Sequence, residues 1–257
     1  MMQHKTAKFK AEDTLEIPQE VREKIARSAG TPSVIDDPAV NDLQFVSVAN
    51  SKYAPIKRVG DVVLATLGLV FIAVPLLLIF VIMIIDDPGN VFFSQYRVGL
   101  GGRRFRLYKL RTMRHDTPKY LSTSQVDDPD KYITRVGRIL RKFSIDELPQ
   151  LVNVIRGDMS LVGPRPLISD EHEIHELRFK YGVYKVRPGL TGLAQINGRD
   201  TVTPAEKVRW DVTYLENFGP WIDLKIVLAT IPKIFGGHGV VEGFKPHTTE
   251  EQKRMDA

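Results

Sequence analysis

No cysteine occurs in the chain. That excludes a disulfide framework, thiolate metal sites and a cysteine nucleophile, and it fits a reducing cytoplasm. There is no Walker phosphate loop and no Gly-x-Gly-x-x-Gly, and the histidines form no metal-binding spacing. His172 and His175, three residues apart in an acidic helical stretch, are expected at the surface. Acidic residues are missing from one long segment. Pro88 to His115 has none, against seven basic residues: Arg97, Arg103, Arg104, Arg106, Lys109, Arg111 and Arg114. Residues 1–55 are close to neutral, with seven basic and eight acidic side chains, so the net charge of +5 arises beyond them. An uncompensated basic stretch attracts phosphates, whether of nucleic acid, lipid headgroups or a nucleotide. The apolar fraction of 43% over 257 residues excludes a disordered chain and a multi-span membrane protein.

What is present begins with an extension. Residues 1–55 have charged stretches, Pro18, Gly30, Pro32 and Pro38, and no sustained apolar period beyond one short helix from Gln19 to Ala29. A removable secretory signal would place its apolar run nearer the start. Val62 to Ile85 is then 24 residues without a charge. At about 1.5 Å per residue it is long enough to cross a hydrocarbon layer of about 30 Å. Pro75, near its middle, removes a helical donor and predicts a bend. Lys57 and Arg58 precede the run and the basic stretch follows it. A straight span would put one basic flank outside, so a helix that enters, bends at Pro75 and returns is preferred. Asp61 is expected to pair with Arg58. Beyond this, Val91 to Val98 and Arg103 to Met113 flank Leu100-Gly101-Gly102 and read as a β-hairpin. Residues 116–130 read as a polar loop. Tyr132 to Lys142, Leu148 to Arg156, Asp170 to Tyr184 and Pro204 to Phe218 read as helices. Asp223 to Phe235, behind Trp221, is too short to span; it either lies in the membrane interface or packs on the core.

Three segments can carry chemistry. Ser144-Ile145-Asp146-Glu147 stands before an apolar run. It is a capping box, in which Glu147 folds back on the helix start, or it holds an ionised Asp146 among unpaired N–H groups, with Arg141 upstream. An ionised aspartate is a nucleophile toward phosphorus or a magnesium ligand. Gly163-Pro164-Arg165-Pro166 fixes the backbone on both sides of one arginine, whose planar fork suits phosphate oxygens or a structural ion pair. Arg187-Pro188-Gly189-Leu190-Thr191-Gly192, running on to Gln195, Asn197, Gly198 and Arg199, offers glycines for close backbone approach to a ligand.

Taken in order, these pieces resemble the bacterial sugar transferase family, the monotopic phosphoglycosyl transferases. The resemblance rests on Lys57-Arg58 with Asp61, the apolar run with Pro75, and Tyr108 to Met113. It continues through Ser144 to Leu151, Gly157 to Pro166, Val186 to Gly192 and Gln195 to Arg199. It implies an α+β, mainly helical chain: a flexible extension (1–55), a re-entrant membrane helix (56–87), a compact cytosolic catalytic domain with interfacial amphipathic helices (88–241), and a polar tail (242–257). It implies a UDP-sugar donor, a polyprenyl (undecaprenyl) phosphate acceptor, Mg2+, and a site on the cytoplasmic face of a bacterial inner membrane. Asp146 matches the nucleophile and a metal ligand, and Glu147 the second catalytic carboxylate. Arg141, Pro164, Arg165 and Arg199 match the phosphate-binding positions, while Lys57, Arg58, Asp61 and Pro75 match the membrane element. Val74 stands where the family often has a polar residue before the proline. A phosphohydrolase and a non-enzymatic anionic-lipid anchor are the rival readings. Nucleic-acid binding leaves the apolar run unexplained and is not expected. The sugar and the pathway stay open, and a homodimer is one option for assembly.

Overall fold

The computed structural model describes residues 44, 46, 48, 51–115, 117, 131–198 and 203–235. Most of the extension with its expected helix, the loop 116–130 apart from Thr117, Arg199 and the tail lie outside the described residues.

The charge-free run forms most of α1 (Tyr53–Asp86), 34 residues with Pro75 inside, about 50 Å at the usual rise. The helix packs by one stripe. Lys57, Asp61, Ala65, Gly68, Ile72, Leu76, Phe80 and Met83 recur every three or four positions and meet the rest of the chain. Val63, Leu67, Val70, Phe71, Val74, Leu78, Val81 and Ile85 face outward, Phe71 at 82% exposure. Both ends are tied to the same body. At the start, Lys57 pairs with Asp223 at 2.6 Å, and Arg58 donates to the carbonyls of Val154 and Ile155. At the end, the Asp86 carboxylate accepts from Val136 N, and Asp87 pairs with Arg111 at 3.2 Å.

The expected Arg58–Asp61 pair does not form. Asp61 instead pairs with Lys57, one helical turn away, at 3.5 Å, and accepts from Ser160 Oγ at 2.6 Å and Leu161 N at 3.3 Å. Arg58 turns to the last carbonyls of a neighbouring helix, the negative end of its dipole.

The hairpin is present. β1 (Phe92–Val98) pairs antiparallel with β2 (Arg104–Leu110), Phe92 opposite Leu110, across a 3-10 turn at Leu100–Gly102. Next come α2 (Arg135–Lys142), capped by Thr134, and α3 (Gln150–Arg156). Buried Asn153 of α3 locks that helix to the strand: its Oδ1 accepts from Tyr108 N and its Nδ2 donates to Arg106 O. α1, β2 and α3 share one apolar cluster of Ala65, Leu107, Leu151, Val154 and Met159.

A second pairing was not anticipated. β3 (Ser160–Val162) and β4 (Gly189–Thr191) run parallel, Ser160 opposite Gly189 and Val162 opposite Thr191. Their glycines serve this contact. A Cβ on Gly189 would stand 2.1 Å from Gly163 N, and one on Gly192 2.1 Å from Gly163 O. Only glycine admits backbones so close.

The remaining helices are α4 (His172–Lys180), α5 (Leu193–Asn197), α6 (Pro204–Glu216) and α7 (Pro220–Phe235). α4 and α6 close a core of Leu177, Tyr181, Val208 and Val212. On α7, Asp223 and Ile226 are buried, while Trp221, Leu224, Leu228 and Ile231 form an exposed apolar stripe. One face of this segment thus packs on the core, as one of the two expectations had it. The structure is thus mainly helical with small strand pairs and one long apolar helix.

Candidate active site

Asp146 and Glu147 sit in a 3-10 turn, Ile145–Glu147, between α2 and α3, and are only 7% and 8% exposed. The capping box expected here is absent. Ser144 lies in the left-handed region at φ 55°, and its side chain makes no cap hydrogen bond among the described residues. Pro149 explains the shift: it supplies no N–H, so α3 starts only at Gln150 and Glu147 is released from capping.

The freed Glu147 carboxylate points to cations. Lys109 Nζ of β2 lies 3.0 Å from its Oε1, and Arg165 Nη1 lies 3.7 Å from the same atom. Lys109, Glu147 and Arg165 line one cleft with Arg97, Gln150 and Gly189. The strand alternation that buries Leu107 brings Lys109 to this cleft as well. Arg141, on α2, donates from Nε to Thr112 Oγ1 at 2.7 Å, at the end of the strand bearing Lys109. The structure therefore brings Glu147 and Arg165 together at the cleft, with Asp146 and Pro164 as their chain neighbours and Arg141 on the helix leading into the turn. Arg199 lies outside the described residues. Lys57, Arg58 and Asp61 belong to the foot of α1, and Pro75 to its exposed half, away from the cleft.

Below the Pro164-Arg165-Pro166 loop runs a buried polar network that was not read from the sequence. Arg178 Nη1 donates to the carbonyl of Arg165 at 2.8 Å, and its Nε and Nη2 bind Asp211 at 2.9 and 2.6 Å. His175 Nε2 donates to the carbonyl of Ile168 at 2.7 Å, so its Nδ1 accepts from the Tyr184 hydroxyl. Two side chains one turn apart on α4 thus hold the carbonyls of Arg165 and Ile168. The surface expectation for His175 fails: it is 1% exposed, because α6 and Tyr184 cover the face of α4 that also carries Arg178. Burial holds its imidazole below the ordinary value, against the opposing pull of the Ile168 carbonyl. Burial alone would lower the Arg178 guanidinium too, but Asp211 and Tyr184 reverse this and hold it above its ordinary value. A visible signal was the spacing Ile174, Leu177, Tyr181, which lays His175 and Arg178 along the edge of a buried stripe.

Chemically, the site offers one carboxylate in the cleft, Glu147, a second beside it on the same turn, Asp146, and cations from two other elements. Hard carboxylate oxygens suit magnesium, which takes one or two carboxylates and completes its shell with phosphate oxygens and water. The donor set of Asp146 and Glu147 therefore fits that metal, although Glu147 is engaged by Lys109. Among the described residues, no group of three or more His, Asp or Glu side chains could hold a metal alone.

Residues 52–237 match the model of the family described as bacterial sugar transferase. A UDP-glucose:undecaprenyl-phosphate glucose-1-phosphate transferase of Caulobacter vibrioides is 47% identical over 188 residues, 69% of this chain and 69% of that protein. The exopolysaccharide production protein ExoY of Rhizobium meliloti is 40% identical over 192 residues, 69% of this chain and 84% of ExoY. A UDP-N-acetylgalactosamine-undecaprenyl-phosphate N-acetylgalactosaminephosphotransferase of Aeromonas hydrophila is 39% identical over 193 residues, 73% of this chain and 45% of its own length.

Proposed function

The chain belongs to the bacterial sugar transferase family, and from that premise we propose that it transfers a sugar 1-phosphate from a UDP-sugar to undecaprenyl phosphate at a membrane surface. The observation that carries this reading is the cleft in which Lys109 and Arg165 stand against Glu147, with Asp146 next to it on the same buried turn. Such cations offset the charge of a diphosphate, and a fixed carboxylate beside them can attack phosphorus. An Asp146 oxygen forms a bond to the β-phosphorus of the donor as the bond to the bridging oxygen breaks, and UMP leaves with that oxygen. A phosphate oxygen of the lipid then attacks the same phosphorus and restores the carboxylate, giving undecaprenyl diphosphate sugar. Glu147 keeps Lys109 and Arg165 at the cleft, and the Arg178 and His175 contacts keep the loop of Arg165 in place. Magnesium, held by Asp146 with Glu147 nearby, would supply further charge neutralisation for the phosphates. The two relatives named for their sugars carry glucose and N-acetylgalactosamine, so the donor is sought by experiment. UMP release is measured across UDP-sugars with magnesium and undecaprenyl phosphate. Sustained release with one sugar, needing Asp146 and needing the lipid phosphate beyond the first turnover, is the expected result. Release unaffected by Asp146→Asn would refute the covalent route.

The helix is read as re-entrant, in the cytoplasmic leaflet of the inner membrane. Support comes from its two ends, since a helix crossing about 30 Å of hydrocarbon would carry one end away from the domain. Here both ends are bonded to it. The native chain lacks cysteine, so Ser51→Cys and Asn90→Cys each give one reporter. Neither should react with an impermeant maleimide in intact cells, and both should react in inverted vesicles. Labelling of either one in intact cells would establish a span.

A further inference from the structure

A second cavity, of about 160 Å3, lies at the foot of α1 and shares no lining residue with the catalytic cleft. That is room for a phosphate group rather than for a whole drug-sized ligand, for which about 300–1,000 Å3 is usual. The polar lining is strongly cationic: Lys57, Arg58, Lys185 and Arg187 face a single carboxylate, Asp61. That carboxylate is already engaged by Lys57, Ser160 Oγ and Leu161 N, and Lys57 is engaged by Asp223. Arg58 spends its amino groups on the Val154 and Ile155 carbonyls. Lys185 and Arg187 are left. Arg187 donates from Nε to Gly157 O at 2.9 Å, and neither residue forms an ion pair among the described residues. The Arg187 guanidinium is held below its ordinary value, first by burial and then by the nearby Arg58 charge, which only Asp61 opposes. A cation in that position is stabilised by an incoming anion.

The other half of the lining is apolar, with Ala54, Leu100, Val186 and Phe218. Beside Ala54 the exposed face of α1 begins with Ile56 and Val59, 67% and 66% exposed. A charged floor next to an apolar surface matches a phosphate group attached to an apolar body.

We propose that this cavity is a second, non-catalytic binding site for a phosphate-bearing anion, held by Lys185 and Arg187 at the foot of the apolar helix. A membrane lipid headgroup and free phosphate share the chemistry, and the experiment separates them. The site does not depend on the transferase reading.

The full chain in neutral detergent is titrated with dioctanoyl phosphatidylglycerol, with inorganic phosphate, and with dioctanoylglycerol, which lacks phosphate. The thermal midpoint is the readout, because a ligand that binds only the folded state raises it. Phosphatidylglycerol or phosphate raises the midpoint of the wild type and of Arg165→Gln; dioctanoylglycerol does not. A shift with the lipid alone assigns a headgroup, and an equal shift with inorganic phosphate assigns free phosphate. Loss of a charge-assisted contact should raise the half-saturating concentration by about tenfold in Lys185→Gln and by more in Arg187→Gln. If Arg187→Gln does not fold, Lys185→Gln decides alone, since that side chain forms no hydrogen bond or ion pair among the described residues. The proposal is overturned if neither phosphate compound shifts the wild type, or if dioctanoylglycerol shifts it equally. It is also overturned if Lys185→Gln binds as the wild type does, or if Arg165→Gln is the variant that abolishes the effect.

Discussion

Two carboxylate–guanidinium pairs stand on either side of the Pro164-Arg165-Pro166 loop, and they are built differently. Arg165 and Glu147 approach to 3.7 Å in an open cleft, with the arginine side chain 23% exposed. Arg178 and Asp211 meet at 2.6 Å with exposures of 3% and 1%. The loose pair keeps charge available for an incoming phosphate. The tight pair is closed to ligands, and its Arg178 Nη1 donates to the Arg165 carbonyl. One holds a reactive surface ready and the other fixes the backbone that presents it.

The sharpest test of this division is Asp146→Asn, which should lower UMP release by roughly a thousandfold or more while leaving the thermal midpoint nearly unchanged. Arg178→Met should do the reverse in kind. It strands a buried carboxylate and should cost about 3–5 kcal/mol of stability, read by denaturation in detergent. Combining it with Asp211→Leu should recover much of that loss. Recovery of stability without recovery of activity would show that the loop is positioned by the pair rather than merely supported by it.

His175 sharpens the comparison through pH. Its folded value lies below the unfolded one because burial disfavours the charged ring. The unfolded chain therefore binds the extra proton, and the stability this group contributes is present above about pH 6.5. It falls as the pH drops from there toward the folded value. The neighbours Arg178 and His172 act in the same direction, and Glu171 and the Ile168 carbonyl oppose them. A thermal midpoint followed from pH 7.5 to 5 should decline, and His175→Gln should flatten that part of the slope. The smallest effect concerns Ser144. A capping serine replaced by glycine would destabilise the fold, whereas a residue at φ 55° should gain up to about 1 kcal/mol from the same change. The sign of the Ser144→Gly difference separates the two.

Parts of this molecule could be read directly. The charge-free run had a length that only one long helix satisfies, and the hairpin had alternation broken by Leu100-Gly101-Gly102. The Asp146-Glu147 pair stood out by its neighbours. What stayed hidden depended on contacts between distant residues. β3 and β4 have three residues each, too few for a period. Their pairing is written only in glycines that mean something once Gly163 and Gly189 are placed together. Asp211 gave no sign of burial because its partner, Arg178, is 33 residues away. Ser144 to Glu147 matched a local rule, and the proline that defeats the rule was visible, but its effect on the helix start needed the backbone. Lys109 was visible as one of seven basic residues, yet only strand geometry singles it out.

The long helix has one consequence for anyone handling this protein. Its inner stripe roofs Leu107, Leu151 and Val154 near one end and Leu110 and Leu140 near the other. Cutting the chain after Asp86 to obtain a soluble fragment would not trim off a detachable anchor. It would strip the lid from two apolar clusters, one of them under the strand that carries Lys109, and leave a fragment that sticks to itself.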